Sequence, residues 1–192
     1  MASQNPLRQL SSFLHSISSL RSSTILTFLA AIVVWRVQAI TGKITGITDL
    51  PVLDLRVGGY TAPEAYDLFR ALGSKGHELY RQLNLVDFAT PAVFGSLLSI
   101  IASPLLRKAN LPAILNLMPF LYSFFDIGEN LVVRYLLSAL PEQQPGLVQL
   151  ASALTQLKYL GNIPAFGVIV VGLLGWGLKA IKTNARKHAR RD

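Results

Sequence analysis

The sequence contains no cysteine. Disulfides, thiolate catalysis and cysteine-based zinc sites are therefore excluded. Charge is also scarce, at 15% of residues, where soluble domains carry about a quarter. Of the three histidines, His77 alone lies outside the terminal segments. Without a partner histidine it does not make a metal centre, and no metal or other cofactor is expected. A glycine-rich phosphate loop and a nucleophile elbow are both missing, and Gly58-Gly59 reads as a turn. Acids are few: 10 against 18 Lys and Arg, for a formal net charge of +8. In a soluble chain that surplus would point to nucleic acid. Here the bases flank apolar runs, so nucleic-acid binding is not expected. The excess of Lys and Arg on the cytosolic side of membrane proteins accounts for them.

What the chain has in quantity is apolar sequence, 51% of 192 residues, gathered into long runs. A run of about 18 or more crosses a bilayer. The fold class read from this pattern is an all-α membrane protein. It has four transmembrane helices, with a short helical cap between the first and second. The expected spans are 23–40, 88–106, 111–140 and 147–178, with the cap at 41–87. Pro119 should bend the third span, and Gly161-Asn162-Ile163-Pro164 should interrupt the fourth. No internal repeat is evident. Residues 1–22 form a leader in which Leu7, Leu10, Phe13, Leu14, Ile17 and Leu20 recur at helical spacing. That reads as an amphipathic helix on the membrane surface. Residues 179–192 form a basic tail.

Arg8, Arg21, Arg107, Lys108, Lys179, Lys182, Arg186, Lys187, Arg190 and Arg191 all fall on one side of the four-span arrangement. Both termini are then cytosolic, and residues 41–87 face the lumen or exterior. An uncleaved anchor in the endoplasmic reticulum membrane is the expectation, ahead of the plasma membrane and mitochondria. Two alternatives stay open. Thr24 to Val34 has the character of a signal-peptide core before Val37-Gln38-Ala39, and the Ser-rich, acid-poor start is compatible with a transit peptide.

The cap is too long to be an unstructured loop. Thr61-Ala62-Pro63-Glu64 fits a capping box, with Pro63 in the first turn. Ala65, Leu68, Phe69 and Leu72 then give an apolar stripe, Gly73 a stop, and a second helix follows from about His77 to Leu85. The run Leu53-Asp54-Leu55-Arg56, Gly59-Tyr60-Thr61, Leu72-Gly73, Gly76-His77, Tyr80 and Asp87 to Pro91 carries a wider pattern. So do Phe125-Asp126, Glu129-Asn130 and Lys158. Over about residues 48 to 160 it resembles a family of small four-helix integral membrane proteins of unassigned function. The resemblance implies topology rather than chemistry. At Gly76-His77 this chain departs from the Gly-Arg of that pattern.

The spans contain polar residues that apolar sequence alone would not require. Asp126, Asn130 and Arg134 are spaced four apart on the third span, with Glu129 beside them. On the fourth, Thr155, Lys158 and Asn162 share a face. Antiparallel spans bring Asp126, Glu129 and Lys158 to similar depths, roughly 13 to 21 Å from the non-cytosolic end at about 1.5 Å per residue. A charge at mid-bilayer costs about 2.5 to 3.5 kcal/mol on insertion scales. The three should pair with one another or line a wet cavity. They are the candidate catalytic residues, with Tyr122, Asn130, Arg134, Thr155 and Asn162 as candidate binding residues. Asp54, Arg56 and Asp87 are secondary candidates. Asp87 also fits an N-cap of the second span, and Asp54 and Arg56 fit a loop pair.

Three functions compete. The first is an intramembrane enzyme acting on a lipophilic small molecule by acid-initiated isomerisation, cyclisation or epoxide opening. Asp126 or Glu129 would donate the proton, and the Tyr122 ring would steady cationic charge. The second is a non-catalytic protein whose bundle binds membrane lipid or a partner. The third is a small carrier, which would need homo-oligomerisation to make a path.

Overall fold

The computed structural model describes residues 5–188, and these form six α-helices and two short 3-10 turns, with no strand among them. The helices are α1 (Pro6–Ile17), α2 (Leu20–Thr45), α3 (Ala62–Asp87), α4 (Ala89–Ala109), α5 (Pro119–Ala139) and α6 (Pro145–His188). The first four residues of the leader, and Arg190 and Arg191 of the basic tail, lie outside the described residues.

Three segments are long and apolar enough to cross a membrane: α2, the α3–α4 stretch Ala62–Ala109, and Pro145–Thr183 of α6. Their outward faces are apolar too. Phe28, Trp35, Leu160, Ile163 and Leu174 are all exposed. A soluble monomer rarely leaves such a surface to water. The chain is an all-α membrane protein.

The leader forms α1 and stops at Ser18, whose backbone is extended. Ser19 then caps α2, its hydroxyl accepting from the Ser22 amide at 3.1 Å. Ser11 and Leu14 are buried, while Leu7, Leu10 and Phe13 point outward. The helix thus rests one face on the protein and leaves an apolar face exposed. Asn116 ties it down, its Nδ2 donating to the Ser11 carbonyl at 3.1 Å and to Ser103 Oγ at 2.9 Å.

Two prolines behave differently from the expectation above. Pro119 opens α5 instead of bending a longer span, because residues Ala113–Leu117 form a 3-10 turn ahead of it. At a first turn proline has no hydrogen bond to lose. Pro164 sits inside α6, and the helix runs through it from Pro145 to His188. Gly161, in the same run, has a packing role. A Cβ there would lie 3.0 Å from the Tyr122 amide nitrogen and 3.1 Å from its Cα. Glycine lets α6 approach the α5 backbone closely, as small residues do between membrane helices.

The cap follows its predicted capping. The Thr61 amide donates to Glu64 Oε2 at 2.7 Å, and the Glu64 amide returns to Thr61 Oγ1 at 3.5 Å. Donation from the Thr61 amide and the Thr61 hydroxyl holds the Glu64 carboxyl below its ordinary range. Gly73 has φ 57° and ψ −172°, which divides α3 into two arms. Ala65, Leu68, Phe69 and Leu72 of the first arm are buried with Ile44, Leu136, Leu137 and Val148. The main core is therefore where the cap meets the C-terminal ends of α2 and α5 and the N-terminal end of α6. The second arm runs on to Asp87, and Phe88 alone separates it from α4. Asp87 does not cap α4, which has no side-chain cap. The helical path barely breaks there, so the Asp87 side chain is free to turn inward.

Gly59 fixes where the cap loop crosses α6. Its φ is +82°, and a Cβ would collide with the side chains of Gln156 and Ser152. Gly58 has open space around it. Gly59→Ala should therefore lower stability by at least about 1–2 kcal/mol, the usual cost of a left-handed alanine. Gly58→Ala should stay within about 0.5 kcal/mol of wild type. Thermal melting of the detergent-solubilised variants reads the difference, and equal melts would show that the loop does not dock as described.

Candidate functional site

The α5–α6 hairpin and the cap loop converge on one ammonium group. Lys158 Nζ lies 3.1 Å from Asp126 Oδ1 and 2.7 Å from Glu129 Oε2, and it also contacts Asp54 Oδ1. Lysine has three donors, and here it meets three carboxylates from two different elements. The Lys158, Asp126 and Glu129 side chains are almost wholly buried, whereas that of Asp54 is 34% exposed. Each partner is held in turn. Thr155 Oγ1 donates to Glu129 Oε1 at 2.7 Å, and Tyr122 OH donates to Asp126 Oδ2 at 3.0 Å.

Asp54 reaches this depth because its turn is pinned from both sides. The Leu53 amide donates to Tyr80 OH at 3.0 Å, and Tyr159 OH donates to the Asp54 carbonyl at 3.1 Å. Arg56 does not pair with Asp54; its guanidinium turns back onto the Pro51 carbonyl, at 2.9 and 3.1 Å. The Tyr60 amide donates to Ser152 Oγ at 2.8 Å, which closes the loop onto α6. Burial pushes the Tyr60 phenol well above its ordinary range, so it stays neutral.

Asp87 is the fourth carboxylate, and it forms no ion pair among the described residues. It accepts from Asn130 Nδ2 at 3.2 Å, while Asn84 Nδ2 donates to Asn130 Oδ1 and to the Asn130 carbonyl, each at 3.0 Å. These bonds fix both amide orientations. Oxygens of Asp54, Asp87 and Asp126 all come within 4.8 Å of one another.

Two cavities meet at this cluster. The larger, about 330 Å³, has Asp54, Asp87, Asp126 and Lys158 at one end and Phe94, Leu98 and Phe166 among its walls. It lies between α2, α4, α5 and α6, and its rim includes the exposed Val34 and Phe166. The smaller, about 50 Å³, is lined by Asp54, Asn84, Asp87, Glu129 and Asn130 among others. Asp54 and Asp87 face both.

The sequence-predicted residues thus separate. Asp126, Glu129, Lys158, Thr155, Asn130 and Tyr122 come together, and Asn162 lines the larger cavity. Asp54 and Asp87 join them. Arg134 is exposed on the outer face of α5. The reason is helical drift: each step of four residues advances the face by about 40°, so two steps from Asp126 turn it by roughly 80°. Arg56 stays in the loop. Asn84 and Tyr159 were not among the candidates. Asn84 was detectable in principle, as a polar residue at i−3 from Asp87 on one helix face. No protein-family model, no curated protein and no solved structure matches the chain.

Removing Lys158 strands three carboxylates, so Lys158→Met should destabilise by about 3–5 kcal/mol, the range for breaking a buried pair. Thr155→Val removes one donor to a charged acceptor and should cost about 1.5–3 kcal/mol. Arg134→Gln should be nearly silent. Melting in detergent gives the order directly. An Arg134→Gln variant as unstable as Lys158→Met would contradict the placement of Arg134 outside the cluster.

Proposed function

We propose that this chain is a four-span membrane protein that binds a lipophilic small molecule in the larger cavity and acts on it by acid-initiated chemistry. The observation that carries this reading is the cavity itself: an apolar chamber with carboxyl groups gathered at one end, rimmed by residues of the lipid-facing surface. Its size is at the lower end for small-molecule sites, about 300–1,000 Å³. A substrate dissolved in the bilayer would enter laterally, between α2 and α6.

The fourth span is α5. Its 21 residues extend about 31 Å at 1.5 Å per residue. Asp126 and Glu129 are turned inward, and the outward residues Leu121, Phe124, Ile127 and Leu131 are exposed and apolar. The resemblance to small four-helix membrane proteins supports the same topology, and the endoplasmic reticulum remains the membrane we favour from the basic flanks.

Within the site we assign the proton to Asp126, on the cavity wall beside Tyr122. Glu129 pairs with Lys158 and lines the smaller cavity rather than the larger, so we assign it as the anchor of the ammonium. The step moves a proton from the carboxyl to a double bond or an oxirane oxygen of the substrate. The cation that forms is stabilised by the remaining carboxylates and by the faces of Tyr122, Phe94 and Phe166. In an isomerisation, the same carboxylate takes a proton back from a neighbouring carbon, so the enzyme ends as it began. In an epoxide opening, the oxirane C–O bond breaks as a water oxygen bonds to the carbon, and the water's proton returns to the Asp126 carboxylate, leaving a diol.

Asp126→Asn keeps the shape and the Tyr122 contact but removes the acid. Wild type and variant, purified in detergent, would be incubated with a lipid extract and followed by mass spectrometry. The expected result is a lipophilic compound bound by both and converted only by wild type. Equal conversion by the variant would take the acid role away from Asp126, and binding without conversion by wild type would favour a lipid-binding role.

The topology has its own test. Single cysteines placed in 41–87 and in the tail 179–192 should label from opposite faces of sealed membranes. Labelling of both from one face would refute the four-span arrangement.

A further inference from the structure

We infer that the small chamber between the cap and α5 is a binding site for a hard divalent cation of the Ca²⁺ or Mg²⁺ class, held by Asp54, Asp87 and Asn84. The carboxylate cluster alone would not establish this. The second observation is Asn84. Its side chain is 97% buried, being 3% exposed, and its Oδ1 has no hydrogen-bond partner. The amide cannot be turned to remove that vacancy. Its Nδ2 donates to two oxygens of Asn130, and a flipped amide would set oxygen against oxygen. The unpartnered oxygen therefore belongs to a residue that lines the same chamber as Asp54 and Asp87.

Size and charge agree. The chamber is about 50 Å³, room for one ion together with a few water ligands. Oxygens of Asp54 and Asp87 come within 4.8 Å of each other. Oxygen ligands sit about 2.3–2.6 Å from Ca²⁺ and about 2.0–2.1 Å from Mg²⁺, so opposed ligands are about 4–5 Å apart. The donor set is all oxygen, which suits hard cations over zinc or copper. Four carboxyl groups face one ammonium, and Asp87 has no cationic partner. A divalent ion offsets two of the remaining charges and leaves one carboxyl to keep its proton, so the cation and the acid chemistry proposed above coexist. Asp54, the partly exposed ligand, marks the way in from the non-cytosolic side. As the ion enters, Lys158 gives up Asp54 and stays on Glu129.

This site does not depend on the catalytic reading, because metal can be measured directly. Full-length protein in detergent, stripped with chelator, would be dialysed against Ca²⁺ or Mg²⁺ at micromolar to millimolar concentrations and its metal content measured. About one ion per chain is expected, with an accompanying rise in melting temperature. Asp87→Asn and Asn84→Leu should each weaken binding by about tenfold or more. Asn84→Asp, which adds a charged ligand, should tighten it. Asp67→Asn, in the exposed Asp67–Arg70 pair of the cap, should change nothing. If Asp87→Asn fails to fold, the two Asn84 variants decide. No stoichiometric ion at millimolar cation, or the same affinity in Asn84→Leu and Asn84→Asp, would overturn the assignment.

Discussion

Everything at the centre of this protein depends on satisfying Lys158. An ammonium buried in a membrane bundle is tolerable only if its three donors meet acceptors. Asp126 and Glu129 supply two from α5, and Asp54 supplies the third from the cap loop. This arrangement constrains the rest. α6 must lie beside α5 at a fixed rotation and depth, which Gly161 permits by yielding space to the Tyr122 backbone. The loop carrying Asp54 must descend to the bundle, which the tight turn at Gly59 and the Tyr80 and Tyr159 hydroxyls enforce. A buried ion pair is weak evidence of net stability, because desolvation offsets much of the attraction. Its effect here is to select one packing among several that apolar helices alone would allow.

The cap is part of the site. Residues 41–87 supply most of the main core, and the second arm of α3 carries Tyr80, Asn84 and Asp87 toward the cluster at helical spacing. α4 continues the same path into the membrane. A shift in the packing of Phe69 or Leu72 would therefore move Asn84 and Asp87 relative to Lys158. The cap forms one wall of the small chamber, and the larger cavity is walled by membrane helices.

Local features were legible in the sequence where the governing interactions are local. The Thr61–Glu64 capping box, the stop at Gly73 and the buried stripe from Ala65 to Leu72 all rest on contacts within a few residues. The meeting of Asp126, Glu129 and Lys158 was also readable, since antiparallel spans and the cost of intramembrane charge leave few alternatives. Asp54 was harder. It is 104 residues from Lys158, and only the three-dimensional course of the loop brings them together. Arg134 shows the limit of spacing rules. It fits an i, i+4, i+8 pattern with Asp126, yet helical drift carries it off the face. Pro119 shows another, because the sequence does not reveal the 3-10 turn that makes it a first residue.

Asp87 and Glu129 show how one cluster can serve both structure and chemistry. Glu129 is fully committed, with one oxygen on Thr155 and the other on Lys158, and it faces only the small chamber. Asp87 has an amide partner but no cation, and it faces both chambers. A group held by strong partners resists changes of charge, whereas one held by a neutral amide accepts a proton or a cation with less reorganisation. The committed side, Glu129 and Lys158, fixes geometry. Asp87, which has no cationic partner, is where charge changes with the least reorganisation. Substitutions at Glu129 should therefore act first on folding, and substitutions at Asp87 first on function.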